Sequence, residues 1–493
     1  MKLNSKKKEF LLILLLLMAG FIVRLYRFNS PVADWHSWRQ ADTSAVSRNF
    51  VKEGFDFLHP KFDDLSNVPS GLYDNPNGYR FVEFPIYNVF QAGSFMLFGH
   101  LTIEEWGRLI SISASLISAV FLYLIIKKRA NLLSGLMAAF FFLFLPFNIF
   151  YSRTILPDPL MITLILGSIY FFDLWLNQNV KLKTENLKSI FNSIILFILA
   201  LIFAASAFLI KPFAAFFMLP MIYLAVEKFG VNFYKKWQLW LFAALSVLPF
   251  SFWRIWMTQF PEGIPQSSWL FNSNHIRFTG SFFHWIFAQR IGDLILGFWG
   301  VPILVFGFLV VNKKNFWYFF SFVLSSFIYV NVVATGNVQH SYYQIPIIPS
   351  IAIFLGIGGA YLLKPLNEQF SKFKTIPVFI FCLLLMFALS WFSVRDYFNI
   401  NNRSIVIAGI AVDKLIPQNA KVIAPYDGDT SFLYQTKRKG WASFEKSLPK
   451  MIKMGADYLV LVNPKSEDFG IGKEYEIVSF TSDYILFDLH KKP

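Results

Sequence analysis

The 493-residue sequence has a single cysteine, Cys382, and only 15% of its residues are charged. A lone thiol inside an apolar run excludes a disulfide framework within the chain. So few charges are foreign to a soluble domain of this length. Neither a Gly-x-Gly-x-x-Gly turn nor a P-loop occurs, so no nucleotide-binding signature is present. His-x-x-x-His and His-Glu-x-x-His spacings are also missing, which removes the usual helical zinc pair. Acidic residues are the minority, 30 against 45 basic ones, for a net charge of +15. The basic surplus does not form the single patch that nucleic acid requires. It lies in short clusters between apolar runs, as membrane topology demands.

What fills the chain instead is apolar: 55% hydrophobic residues, with 60 phenylalanines. About eleven segments are long enough to cross a bilayer, near 9–26, 108–126, 132–150, 158–176, 190–210, 212–226, 238–257, 291–311, 315–333, 344–363 and 376–392. The run over 86–99 is shorter and fits a helix lying along or dipping into the interface. The first span follows Lys6, Lys7 and Lys8, like a signal peptide, but lacks a small-x-small site and is followed by Arg24 and Arg27. It reads as a retained anchor.

Basic clusters mark alternate connections: Lys6 to Lys8, Lys127 to Arg129, Lys181 with Lys183 and Lys188, Lys235 with Lys236, Lys313 with Lys314, and Lys364 with Lys372 and Lys374. With eleven spans all six fall on one side, which the positive-inside rule makes cytoplasmic. The loop over 27–107 and the C-terminal tail then face outward. So do, at or just inside the outer surface, Asp34, Asp42, Glu83, Arg153, Asp158, Lys211, Arg254, His275, His284, Arg290, Asp293 and His340. Span centres carry almost no charge, whereas transporters keep ionisable groups near the midplane. The pattern points to chemistry at the outer interface on a membrane-embedded substrate.

The organising stretch is the polar interval 31–83. A short helix is expected over 41–52, ended by Gly54, with Asp42 in its first turn. There Asp42 either complements the helix dipole or serves as a general base toward an acceptor hydroxyl or amine. Asp34 is the second choice for that base. His36, Trp35 and Trp38 suit an interfacial depth. Glu83, flanked by Val82 and Phe84, is expected either to orient the acceptor or to ligate a metal with a histidine. Over 151–159, Arg153 follows the third span, and Pro157 and Pro159 open the fourth around Asp158. Arg153 suits a lipid phosphate, gripped through two parallel hydrogen bonds. Asp158 is expected to cap the helix or to pair with Arg153 and direct it, and Lys211 adds a second phosphate charge. His340, Tyr342 and Tyr343 open the tenth span as either a tyrosine belt or a sugar contact through stacking and hydrogen bonds.

Beyond residue 399 the character changes. A helix is expected over 405–415, strands over 421–425 and 458–462, a helix over 443–454, and a hairpin over 476–480 and 484–489. The chain thus divides into a membrane domain over 1–398 and a small extracytoplasmic α/β domain over 399–493. Asp427-Gly428-Asp429 has the spelling of a metal-binding Asp-x-Asp, but Asp-Gly is also a turn signal.

These residues carry a resemblance. Asp42-Thr43 in the first outer loop, Glu83-Phe84-Pro85, Arg153 with Pro157-Asp158-Pro159, and His340-Ser341-Tyr342-Tyr343 in that order resemble the GT-C class of glycosyltransferases. The closest group is family 39, with the protein O-mannosyltransferases and the bacterial aminoarabinose transferases that modify lipid A. The resemblance covers roughly residues 9–360, with Thr43 where many members carry glutamate. It implies a helical membrane core with a large first outer loop bearing juxtamembrane helices. It further implies transfer of a sugar from a polyprenyl-phosphate donor to an acceptor at the outer face of the cytoplasmic membrane, with inversion. Asp42 would be the base, and Arg153 and Lys211 would hold the carrier phosphate. The resemblance leaves a divalent metal open, and names no acceptor among protein, lipid A and other glycans. A lipid or sugar flippase and a non-catalytic scaffold displaying the tail remain the competing classes.

Overall fold

The computed structural model describes residues 5–179, 187–364 and 372–493. Lys181 and Lys183 of the basic clusters lie outside the described residues. Within them, eight helices are long and apolar enough to cross a membrane, or nine if the bent pair Gly280–Ile295 and Gly300–Val310 counts as one span. The chain is a multi-pass helical membrane protein with a small C-terminal sheet domain.

The expected count of eleven meets its differences at three places. The first expected span is the helix Ser5–Arg24, whose basic start and terminal arginine leave too short an uncharged stretch for a full span by composition. The third breaks at Leu145: Leu132–Phe144 stops, and Pro146–Tyr151 begins as a separate helix. Pro146 has no N–H to continue the ladder and drives the residue before it out of the helical region, so Leu145 takes φ −55°, ψ 121°. The eighth bends by 105°, where Gly297 and Phe298 both have positive φ.

Helix ends follow local chemistry. Ile103–Arg129 opens with a capping box, Thr102 accepting from the Glu105 amide and the Glu105 carboxylate accepting from the Thr102 amide. Glu104 and Glu105 in its first turn, and Lys127 to Arg129 in its last, complement the helix dipole. At that far end Lys128 and Arg129 pair with Asp173, and Arg129 also with Glu227. Ile348–Leu363 is enclosed by its neighbours along its whole length. It packs so closely on Gly300–Val310 that a Cβ on Gly307 would lie 2.0 Å from the Phe354 carbonyl oxygen, and one on Gly358 2.1 Å from that of Ile303. Such backbone contact is how helices associate in lipid, where burial of apolar surface offers no driving force.

Two helices of the first outer loop sit on the ends of these spans. Ile86–Phe98 matches the expected interfacial helix: Tyr87, Asn88, Gln91 and Ala92 face inward, while Phe90, Met96, Leu97 and Phe98 are exposed. Ser37–Glu53 is longer than expected and begins four residues earlier. Its polar residues from Arg39 to Asn49 are almost all buried, which is unusual for a helix of this composition and is met by side-chain pairing.

The C-terminal sheet holds β1 (Val422–Ile423), β2 (Gly440–Trp441), β3 (Tyr458–Val462), β4 (Glu476–Phe480) and β5 (Tyr484–Asp488) in the order β2-β1-β3-β5-β4. β2, β1 and β3 run parallel; β5 is antiparallel to both β3 and β4. The domain is stitched to the first outer loop. Asp64 bridges Gly440 at the β2 edge, with Leu65 N–H donating to the Gly440 carbonyl at 2.7 Å and Gly440 N–H to that of Asp63 at 3.0 Å. This cap closes an otherwise open sheet edge.

Candidate functional site

A cavity of about 440 Å³ lies between the first outer loop, the loop around residues 264–271 and the span ends. Its wall combines aromatic surface from Trp38, Trp269, Tyr342 and Tyr343 with four cations, Arg39, Arg80, Lys211 and Arg254. Arg39 and Arg80 also line an adjoining narrow void of about 10 Å³ that contains Asp42 and Glu83. Carboxylates therefore sit directly behind the arginines that face the cavity.

Each of these charges has a defined partner, save one. Arg39 directs one terminal nitrogen at both oxygens of Glu83, at 2.6 and 2.7 Å, and the other at Thr43 Oγ1, 3.0 Å. Burial opposes the Arg39 charge, but the attraction of Glu83 outweighs it and holds the guanidinium pKa above its ordinary value. Arg80 lies over the Phe62 ring and pairs with Asp42 Oδ2. Asp42 Oδ1 accepts from Thr430 Oγ1 at 2.6 Å, so a residue of the C-terminal domain completes its coordination. Lys211 reaches both oxygens of Asp158 at 2.7 Å. Arg254 ends the helix Trp237–Met257, is exposed, and has no carboxylate partner among the described residues.

Beside the cavity lies an aromatic cluster. Tyr342 and Tyr343 stack at 4.5 Å, and His340 stacks on Tyr342 at 5.6 Å and meets Trp269 edge-on. His36 packs against His340 and Tyr342. Burial pushes the His36 imidazole down to about 3 and that of His340 to about 4; His340 and then Arg290 add repulsion at His36, and Arg290 adds it at His340. Both are neutral at physiological pH, able to stack and to exchange hydrogen bonds but not to balance a phosphate.

Of the residues singled out in the sequence, Trp38, Lys211, Arg254, Tyr342 and Tyr343 line the cavity, and Asp42 and Glu83 lie just behind it. His340 and His36 stand one layer further back, and Asp158 backs Lys211. Two expectations need correction. Asp42 is not in the first turn of its helix, which starts at Ser37, so its partners are Arg80 and Thr430 rather than the helix dipole. Asp158 does not pair with Arg153. The Arg153 side chain runs instead beneath the first outer loop, to Asp34 at 3.0 Å and the Arg27 carbonyl at 3.1 Å. Asp34 also accepts from Gln40 Nε2 at 2.6 Å. Arg153 and Asp34 are both fully buried and line neither the cavity nor the void.

Sequence reasoning missed Arg39, Arg80 and Thr430. Arg39 stands inside the polar interval 31–83, and Arg80 three residues before Glu83. Thr430 had no local signal; the nearby Asp427-Gly428-Asp429 is a turn with Asp427 and Gly428 at positive φ and Asp429 capping Thr430–Gln435 through the Ser431 amide at 2.7 Å. Among the described residues no group of three or more His, Cys, Asp or Glu side chains is placed to hold a metal ion. Glu83 has arginine, not histidine, as its bonded partner.

Residues 82–256 match the family described as dolichyl-phosphate-mannose-protein mannosyltransferase. No curated protein matches by sequence. The fold is similar to that of ArnT from Cupriavidus metallidurans, solved bound to undecaprenyl phosphate, with a TM-score of 0.68 at 11% identity over 98% of both chains. The apo form of that protein matches with a TM-score of 0.66. An Archaeoglobus fulgidus oligosaccharyltransferase, in complex with Zn and sulfate, matches at 0.56 and 10% identity over 93% of this chain and 69% of that one. The family match covers residues 82–256, and along nearly its whole length the chain has the fold of these membrane glycosyltransferases.

Proposed function

We propose that the chain transfers a sugar from a polyprenyl-phosphate donor to an acceptor at the outer face of the cytoplasmic membrane, inverting the anomeric carbon. The N-terminus would be cytoplasmic and the C-terminal domain extracytoplasmic. The observation that carries this reading is the cavity with Arg39, Arg80, Lys211 and Arg254 in its wall and the Asp42 carboxylate directly behind Arg80. Aromatic faces suit a sugar ring. Lys211 and Arg254 suit the donor phosphate, whose leaving-group charge they stabilise as it develops. The acceptor's nucleophilic atom attacks the anomeric carbon, its proton passes to Asp42, and the bond between that carbon and the phosphate oxygen breaks toward the carrier.

Asp42 is preferred to Asp34 as the base because it stands behind Arg80 at the void adjoining the cavity, whereas Asp34 lines neither cavity nor void and is held by Arg153 and Gln40. Arg153 then supports the outer loop, and phosphate binding falls to Lys211 and Arg254. Glu83 orients Arg39. His36 and His340, both neutral, brace the tyrosines against which the sugar packs. An undecaprenyl phosphate bound to a protein of the same fold supports a carrier of this chemical class.

The test is transfer from extracted polyprenyl-phosphate sugars, radiolabelled in the sugar, to membrane acceptors in proteoliposomes. Wild type is expected to transfer label, and Asp42→Asn to lose at least about a hundredfold in rate. Full activity in Asp42→Asn would move the base elsewhere. Absence of transfer with every carrier sugar would sink the reading and favour a flippase, which transbilayer movement of a fluorescent lipid-phosphate would then reveal.

A further inference from the structure

The C-terminal domain lies outside the segment matched by the family, yet one of its side chains touches the carboxylate proposed as the base. Thr430 Oγ1 is 2.6 Å from Asp42 Oδ1 and 3.3 Å from the Trp38 carbonyl oxygen. A hydroxyl has one proton, and the shorter contact to a charged acceptor claims it. Asp42 Oδ2 is held by Arg80, so the carboxylate plane is clamped from two sides by two different parts of the chain.

The position of Thr430 is itself well fixed. Asp429 caps the helix it opens. Phe432 and Leu433, two and three residues on, are fully buried in the core of the C-terminal domain. Tyr434, one turn further along, docks the same helix on Ser37–Glu53. Its hydroxyl donates to the Glu104 carboxylate and lies 2.9 Å from Ser44 Oγ, its carbonyl accepts from Arg48, and the Arg48 guanidinium lies 4.1 Å from its ring centroid. Two helices are thus pinned at two points, one of which is Asp42. Gln435 adds a third tie, donating to the Val32 carbonyl at 2.9 Å.

Resting on the transferase reading, we infer that the C-terminal domain is part of the active site, with Thr430 as a positioning residue that sets the orientation of the Asp42 carboxylate. Arg80 spans the carboxylate and the cavity, and by itself would let the carboxylate swing as the guanidinium turns toward an anionic donor. The Thr430 hydroxyl supplies a second anchor that no substrate charge competes for. The domain then acts on the reaction through one hydrogen bond, without lining the cavity.

The experiment compares full-length wild type, Thr430→Val and Thr430→Ser in proteoliposomes with labelled extracted polyprenyl-phosphate sugars, together with thermal unfolding of each. Valine keeps the shape and removes the hydroxyl. Thr430→Val is expected to lower the maximal rate about tenfold while the donor concentration for half-maximal rate and the unfolding temperature stay near wild type. Thr430→Ser is expected to restore most of the rate. A wild-type rate in Thr430→Val overturns the inference and leaves the transferase reading intact. A loss that serine does not restore, or one matched by an equal fall in unfolding temperature, assigns Thr430 to domain stability and also overturns it. No transfer by wild type overturns the transferase reading and this inference together.

Discussion

Arg153 and Asp34 meet at 3.0 Å with neither side chain exposed to solvent. The guanidinium is flanked by the Phe150 and Phe398 rings, and also reaches the Arg27 carbonyl. It therefore ties the end of the first helix, the start of the outer loop and the turn before the fourth expected span into one node. Removing one member of a buried ion pair strands the other charge, at about 3–5 kcal/mol. Arg153→Met is expected to lower the unfolding temperature in detergent sharply, and Asp34→Asn to do the same. The double variant is expected to recover part of the loss, because it leaves no unpaired charge. If Arg153→Met unfolds like wild type and fails only in donor binding, the arginine serves phosphate after all.

Arg254 offers the converse case. It is exposed, faces the cavity and carries no carboxylate, so its removal strands nothing. Arg254→Gln is expected to leave unfolding unchanged and to raise the donor concentration for half-maximal rate about tenfold, as for loss of one charge-assisted contact. The same change at Lys211 would be harder to read, because it leaves Asp158 buried and unpaired. Titration of donor against initial rate separates the two, and an unchanged donor dependence in Arg254→Gln removes this arginine from the phosphate site.

Much of this arrangement was legible locally, and the illegible part has a common cause. The interfacial helix, the strand Tyr458–Val462 and the final hairpin stand where periodicity and turn residues put them, because burial of one face writes itself into the residue order. The two-residue strands β1 and β2 are too short to carry alternation, and β2 went unread. The six-residue helix Thr430–Gln435 was likewise below any periodic signal, although it reaches Asp42. Arg153 illustrates the deeper limit. Its neighbour in sequence, Asp158, is the partner that spacing suggests, but Asp158 is held by Lys211 and the arginine meets an aspartate 119 positions away instead. Which ion pairs with which is decided by tertiary placement, not by spacing.

The two half-buried imidazoles predict an acid limb in stability. Desolvation holds His36 at about 3 and His340 at about 4, against an ordinary 6.5. Between those values and pH 6.5 the unfolded chain binds protons that the native state refuses, so stability is fully present above pH 6.5 and is lost as pH falls toward 4. The loss is on the order of a few kcal/mol over that interval. Replacing the inner one, His36→Gln, is expected to flatten the fall in unfolding temperature between pH 6.5 and 4.5. An acid limb of unchanged steepness in that variant would assign it to other groups.

Asp64 predicts the opposite slope. It is 1% exposed, and its oxygens accept from the Ser66 amide at 3.1 Å and the Ser66 hydroxyl at 2.7 Å. Burial raises its pKa to about 7 from the ordinary 3.8, and the negative Asp42 adds to the rise. Below pH 3.8 the native and unfolded states both hold the proton. Above it the native state keeps a proton the unfolded chain has released, so the stability carried by the neutral acid falls as pH climbs from 3.8 to about 7 and is gone above it. Asp64→Asn keeps an acceptor for the Ser66 amide and removes the titration. It is expected to raise the unfolding temperature relative to wild type most at pH 8, less at pH 5, and hardly at all below pH 3.8. Equal effects at pH 8 and pH 5 would mean that Asp64 is ionised throughout, with its charge met by the surrounding amides.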